Sequence, residues 1–293
     1  MSRVFDSDPQ ASRAALVDYR ELCVIDPVFA SGVAGGAARR SEGQAPSAAV
    51  VAPVGPNDEG VDAFLDALLD QTYAAFELVV VDRGATASAR ASLAARANDP
   101  RLRVVAALGA GPDRARSVGV GAAKAEFVGF CEPDALWRPG ALAAHIRHLS
   151  ERPSLGVSLS RSERTEPGAR PRPLRRVTPY GRLGPVELLA LPTDALGSTA
   201  VARRAALEPL ADARGVFRGP TGAEAERDAW LRMAQSGAYE VGSIPAALTI
   251  REGLAPAIEP AAARRAGAAS PARVRLGEMV GAGAAALARA FAG

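Results

Sequence analysis

Phe127-Val-Gly-Phe-Cys-Glu-Pro-Asp-Ala-Leu-Trp-Arg-Pro139 decides how the chain is read. An apolar run stops at two carboxylates spaced one apart, Glu132 and Asp134, and then turns at Trp137-Arg138-Pro139. A strand that ends this way presents hard oxygen ligands at the rim of a sheet, as a divalent cation bound to a diphosphate requires. Taken alone, the same residues also describe a solvated turn ahead of a helix that starts near Pro139. The chain in front of this stretch favours the first reading.

Ala48–Ala52 is a short apolar run, followed by Phe64, Leu65, Leu68 and Leu69 at helical spacing. Phe76–Val81 is a second, β-branched run closed by Asp82-Arg-Gly84. An Ala-rich helical stretch leads through Asn98-Asp-Pro100 into a third run, Leu102–Val105. Gly109-Ala-Gly-Pro112 breaks that run, a helix extends to about Ala123, and Glu126–Cys131 forms a fourth strand. Strands of this length alternating with helices predict βαβ units and a parallel sheet. In such sheets ligands bind outside the carboxyl ends of the strands. Pro53, Asp82 and the Glu132/Asp134 pair all fall at those ends.

The blocks Val50-Val-Ala-Pro-Val54, Leu68-Leu-Asp-Gln-Thr-Tyr73, Val79-Val-Val-Asp-Arg-Gly84, Ala115-Arg-Ser117 and Phe130–Pro139 stand in one order. In that order the chain resembles a family 2 glycosyltransferase of the GT-A fold, over roughly residues 46–252. Gly197–Arg204 is similar to the strand and turn that shape the family's acceptor side, and Asp228–Ala234 to its late helix. The resemblance implies an α/β fold with a Rossmann-like, mostly parallel sheet flanked by helices. It also implies a metal-dependent, inverting transfer from a nucleotide sugar, most simply a UDP-sugar. Residue by residue, it assigns Asp82, Pro53 and Val54 to the nucleotide base and Arg116 to the diphosphate. Glu132 and Asp134 become the ends of the metal motif for Mn²⁺ or Mg²⁺, and Glu226 the catalytic base. The implied partners are a nucleotide-sugar donor and a glycan, lipid-linked or small-molecule acceptor.

Several positions depart from the family pattern. Arg83 replaces a second acid after Asp82, Ala135 replaces the last acid of the metal motif, and Ala225 replaces the first acid before the late helix. Glu132 stands where Asp is usual, a reach about 1.5 Å longer, and misplacement of about 1 Å can cost on the order of 10²-fold in rate. These changes point to a reshaped site or a slow enzyme. They also support a rival reading, a non-catalytic nucleotide- or glycan-binding or scaffolding subunit. The acids Glu224, Glu226 and Asp228 would equally suit a helix start by charge alone, and Asp-x-Gly is good turn chemistry.

Other signals exclude more than they suggest. Gly109-Ala-Gly111 follows the third strand, and Arg114 occupies the place of a final dinucleotide-loop glycine. Gly55-Pro-Asn-Asp-Glu59 is no phosphate loop for nucleotidyl transfer. His145 and His148 lack further zinc ligands and read as surface or packing residues. Trp137 reads as a packing residue beneath the site. Net charge of +3 with no basic stripe interleaved with aromatics excludes a nucleic-acid binder. The Arg170–Arg176 run reads as an acceptor-side loop. Two cysteines, Cys23 and Cys131, make no disulfide framework.

The chain carries no apolar run of about 18 residues and no basic-then-apolar amino terminus. The expectation is a cytoplasmic protein, with membrane contact only at its surface. The expected organisation is an extension over residues 1–45, with structure potential at Ala14–Val28 and a linker at Ser31–Ser47. A GT-A domain follows over 46–252, with a nucleotide half at 46–140 and an acceptor half at 141–252. Residues 253–293 form an Ala/Arg-rich tail whose Val274–Phe291 segment is expected to be an amphipathic helix.

Overall fold

The computed structural model describes residues 46–165, 172–173, 181–191, 196, 198–219 and 222–252. The expected segment Ala14–Val28, Cys23, most of the linker, most of the Arg170–Arg176 run, Gly197 and the carboxy-terminal helix lie outside the described residues.

In chain order the elements are β1 (Ala48–Val54), α1 (Val61–Leu69), β2 (Phe76–Asp82), α2 (Ala87–Ala95), β3 (Leu102–Ala106), α3 (Pro112–Ala122), β4 (Phe127–Phe130) and β5 (Ala135–Trp137). Then come α4 (Ala141–Glu151), β6 (Leu155–Thr165), β7 (Arg172–Pro173), β8 (Gly181–Leu183), α5 (Pro185–Ala190), β9 (Ala200–Arg203), α6 (Arg204–Leu207) with a 3₁₀ turn at Glu208–Leu210, α7 (Gly222–Ser236) and β10 (Glu240–Glu252). Among the described residues the strands form one ten-stranded sheet in the order β3-β2-β1-β4-β9-β6-β10-β5, with β7 beside β6 and β8 beside β10. The first half of the sheet is parallel throughout, β3 through β4. In the second half β6 and β10 run parallel, while β9, β5, β7 and β8 pair antiparallel.

β1 and β2 are apolar almost without a break because helices cover both faces of the sheet. Ala49, Val51, Val79 and Val81 belong to the core beneath α3 and α7. Their alternates Val50, Ala52, Leu78 and Val80 pack with Phe64, Leu65 and Leu68 of α1 and with Leu142 and Leu149 of α4. β3 is the edge strand, which is why Val104 is left 48% exposed.

β1 runs two residues farther than its apolar run suggests. β4 pairs with β1 only as far as Val51, so beyond it β1 has β2 alone as neighbour. Pro53 therefore withholds no N–H that a second strand needs. Pro53 and Val54 are consequently buried strand residues, not an open loop.

The Leu-x-Gln-Thr-Tyr block is structural. Gln71 donates from Nε2 to the carbonyls of Ala67 and Arg138 and accepts at Oε1 from the Leu142 amide. The Thr72 amide and hydroxyl both donate to the Pro139 carbonyl. Together they fix the turn between the acidic rim and α4. Trp137 lies beneath that rim, 1% exposed, with its indole N–H on the Ser198 carbonyl at 2.7 Å.

Candidate active site

The carboxyl ends of β1, β2 and β3 finish level, with Val54 opposite Asp82 and Asp82 opposite Ala106. Asp82 uses Oδ1 to accept the amides of Gly84 and Ala85 at 2.8 and 2.7 Å, and Oδ2 to pair with Arg90 Nε at 3.0 Å. Burial works to raise its pKa, but those amides and Arg90 hold the carboxyl below the usual range. Asp82 is thus ionised at the rim and also builds its own turn. The next residue, Arg83, lays its guanidinium over Gly55 and donates to the Ala110 carbonyl at 3.3 Å. It spans the crevice between the loops after β1 and β3.

Arg116 is placed from beneath. An added Cβ on Gly119 would stand 2.2 Å from Val51 Cγ1, so glycine lets α3 press directly onto β1. One turn earlier, Arg116 projects under the rim and is fully buried. Its Nη2 lies 2.8 Å from Glu132 Oε1, and its Nε 3.6 Å from Glu226 Oε1. The sequence resemblance put Arg116 against a diphosphate, whereas its guanidinium faces two carboxylates inside the protein. Gly222 makes the room: a Cβ there would sit 2.0 Å from Arg116 Nη2.

Glu226 reaches that point because α7 is anchored one turn later. Trp230 packs on Phe217 and Phe130, the last residue of β4, with ring centroids 6.0 and 6.3 Å away. Residues four apart share a helix face, so docking Trp230 beneath β4 turns Glu226 toward Arg116. Glu226 is fully buried, and its pKa is pushed up to about 8 by desolvation, with Arg116 opposing and Glu132 adding to the rise.

The two rim acids differ. Glu132 points inward to Arg116, with its side chain 23% exposed. Asp134 is 61% exposed and pairs through Oδ2 with Arg251 Nη2 at 2.8 Å. Among the described residues no three His, Cys, Asp or Glu side chains gather as a metal cluster. Asp134 is the acid open to a ligand.

Ser198, Arg251 and Gly222 were not singled out as site residues from the sequence. Ser198 is buried and left-handed, with φ of 61°. Its Oγ accepts the Glu132 amide at 2.9 Å, and its carbonyl takes Trp137 and, at 2.9 Å, the Thr249 hydroxyl. A serine in a turn before a strand gives no warning of this. Arg251 was hidden at the end of a strand far along the chain.

The model of glycosyl transferase family 2 matches residues 55–210, more than half of the chain. The chain belongs to that family. The sheet described above is that of the GT-A fold. Among solved structures it is similar to S. aureus TarS 1–349 in complex with UDP-GlcNAc, at TM-score 0.57 and 20% identity, over 71% of this chain and 58% of that one. It is also similar to the mannosyltransferase PcManGT from Pyrobaculum calidifontis in complex with GDP-Man and Mn²⁺, at TM-score 0.53 and 20% identity, over 87% of this chain and 68% of that one. The chain thus spans less than two thirds of TarS 1–349. No curated protein matches its sequence. Among the described residues no helix is long and apolar enough to cross a membrane.

Proposed function

We propose that this glycosyltransferase moves a sugar from a nucleotide-sugar donor, most simply a UDP-sugar, to an acceptor hydroxyl with inversion at the anomeric carbon. The observation that carries this reading is the meeting, through Arg116, of the rim acid Glu132 and the helix acid Glu226. The similar proteins TarS and PcManGT, in complexes with UDP-GlcNAc and with GDP-Man and Mn²⁺, support a nucleotide sugar as donor. Asp82 would face the base, with Pro53 and Val54 as the wall behind it and Arg83 across the crevice.

Mn²⁺ or Mg²⁺ fits this donor set in one way. Such an ion takes one or two carboxylates and completes its shell with phosphate oxygens and water. Asp134 supplies an exposed carboxylate at the rim, whereas Glu132 is committed to Arg116. When bound there, the ion would offset charge on the departing diphosphate. The acceptor oxygen bonds to the anomeric carbon as the bond to the diphosphate oxygen breaks. The electron pair leaves with the nucleoside diphosphate, and the acceptor proton passes to Glu226, a transfer typically worth roughly 10²–10⁴-fold.

The test is a panel of UDP- and GDP-sugars with Mn²⁺, read as melting temperature and as nucleoside diphosphate released. The reading expects one nucleotide to raise the melting temperature and its sugar to turn over, with Glu226→Gln losing turnover but keeping the thermal shift. If no nucleotide stabilises the chain, the reading fails. The full burial of Glu226 favours a second reading, a non-catalytic nucleotide- or glycan-binding subunit. Stabilisation without turnover of any donor would select it.

A further inference from the structure

Each acid of the crevice carries a guanidinium: Arg90 on Asp82 at 3.0 Å, Arg116 on Glu132 at 2.8 Å, and Arg251 on Asp134 at 2.8 Å. The rim acids are therefore neutralised by the chain's own cations. A diphosphate arriving there brings negative charge, and the three arginines are not equally able to meet it. Arg116 is sealed, with no exposed surface. Arg90 lies on α2 beside Asp82, on the base side. Arg251 stands on the exposed acid of the metal motif.

Its placement is rigid. β10 pairs antiparallel with β5, setting Thr249 opposite Trp137, Ile250 opposite Leu136 and Arg251 opposite Ala135. The Arg138 amide donates to the Leu248 carbonyl at 2.9 Å, and the Thr249 hydroxyl is tied to Ser198. The backbone of Arg251 is thus locked one residue from Asp134. Its side chain is 14% exposed, which keeps the guanidinium largely desolvated and its electrostatic reach long. A guanidinium can hold two acceptors at once and matches phosphate oxygens in bidentate geometry.

We propose that Arg251 is a diphosphate-binding residue of the donor site, an inference that rests on the nucleotide-sugar reading. Without a divalent cation it bridges Asp134 and the diphosphate. When a cation takes the Asp134 carboxylate, the Arg251 contact to Asp134 is replaced by one to the phosphate oxygens. Donor binding is then strengthened by metal but does not require it, because the strand supplies a cation of its own.

The test uses calorimetric titration of UDP and of GDP into the full chain, once in EDTA and once in Mn²⁺. Wild type is expected to bind one of them in both conditions, more tightly with Mn²⁺. Arg251→Ala should weaken binding in EDTA by about tenfold or more, the worth of one charge-assisted contact, and Arg251→Lys should fall between. Asp134→Asn separates this from simple misfolding, since it should tighten binding in EDTA by removing the competing Asp134 charge beside Arg251 while weakening the Mn²⁺ response. Nucleotide binding that appears only with Mn²⁺, or that Arg251→Ala leaves unchanged in EDTA, overturns the proposal. No binding of either nucleotide in either condition overturns the donor-site reading itself.

Discussion

The guanidinium of Arg116 and the carboxyl of Glu226 stand 3.6 Å apart with neither side chain exposed to solvent. A buried charge is tolerated where it is paired. Here desolvation outweighs the pull of Arg116, whose closer partner is Glu132, so Glu226 keeps its proton up to a pKa near 8.

The pH dependence of Glu226→Gln follows from that proton. The carboxyl titrates near 8 when folded, against 4.5 as its ordinary value. The contribution of the neutral carboxyl is intact below 4.5 and is lost as pH rises toward 8, with a limiting slope of about 1.4 kcal/mol per pH unit. Glu226→Gln should match wild type near pH 5 and be the more stable protein near pH 8, as denaturant melts at both values will show. In turnover the sign reverses. The ionised base is needed, so kcat/KM of wild type should climb with pH to a limb near 8, and the variant should lose roughly 10²–10⁴-fold.

Gly222→Ala should damage the site from behind. The new methyl would lie 2.0 Å from Arg116 Nη2. The guanidinium has no solvent to move into, so an overpacking cost of about 1–3 kcal/mol is expected. Thermal melts check this against Gly121→Ala, a helical position where an added Cβ meets nothing within 4 Å and alanine should not destabilise.

Ser198 separates strain from hydrogen bonding. Alanine there keeps the left-handed backbone and loses the acceptor for the Glu132 amide, at about 1 kcal/mol. Glycine loses the same acceptor but relieves the backbone by about 1–2 kcal/mol. Ser198→Gly should therefore melt above Ser198→Ala. The reverse order would mean that the φ of 61° carries no strain for glycine to relieve.

His145 and His148 are both buried and share the Ser158 hydroxyl through Nδ1, at 2.9 and 2.8 Å. Desolvation lowers them to about 3 and about 4, with the neighbouring histidine adding for His145 and Arg152 for His148. Their stabilising neutral form is fully present above 6.5 and is lost as pH falls toward those values. His148→Gln should flatten the acid side of the stability curve between pH 6.5 and 4. An unchanged acid limb would show that the histidines titrate freely.

Much of this architecture was legible because it is periodic. The runs at Val50, Val79 and Phe127 are strands buried on both faces, and their helical separators forced parallel pairing. That logic also located Asp82, Glu132 and Asp134 on one edge. The second half was less readable, since β9, β5 and β8 are strands of three or four residues whose pairing depends on distant partners. Arg116 was assigned to the diphosphate because the resemblance places its segment there. Nothing local shows that Gly222, 106 positions later in the same numbering, opens a pocket for it. Histidines three apart were left between surface and packing, and burial decides for packing.

A nucleoside diphosphate is expected to lie across the carboxyl ends of β1, β2 and β4. A crystal structure of the full chain grown with Mn²⁺ and the nucleotide that most raises its melting temperature tests it directly. The base should lie at Asp82 and the diphosphate beside Asp134 and Arg251. A nucleotide bound elsewhere, with Asp134 still paired to Arg251 and facing bulk solvent, would contradict it.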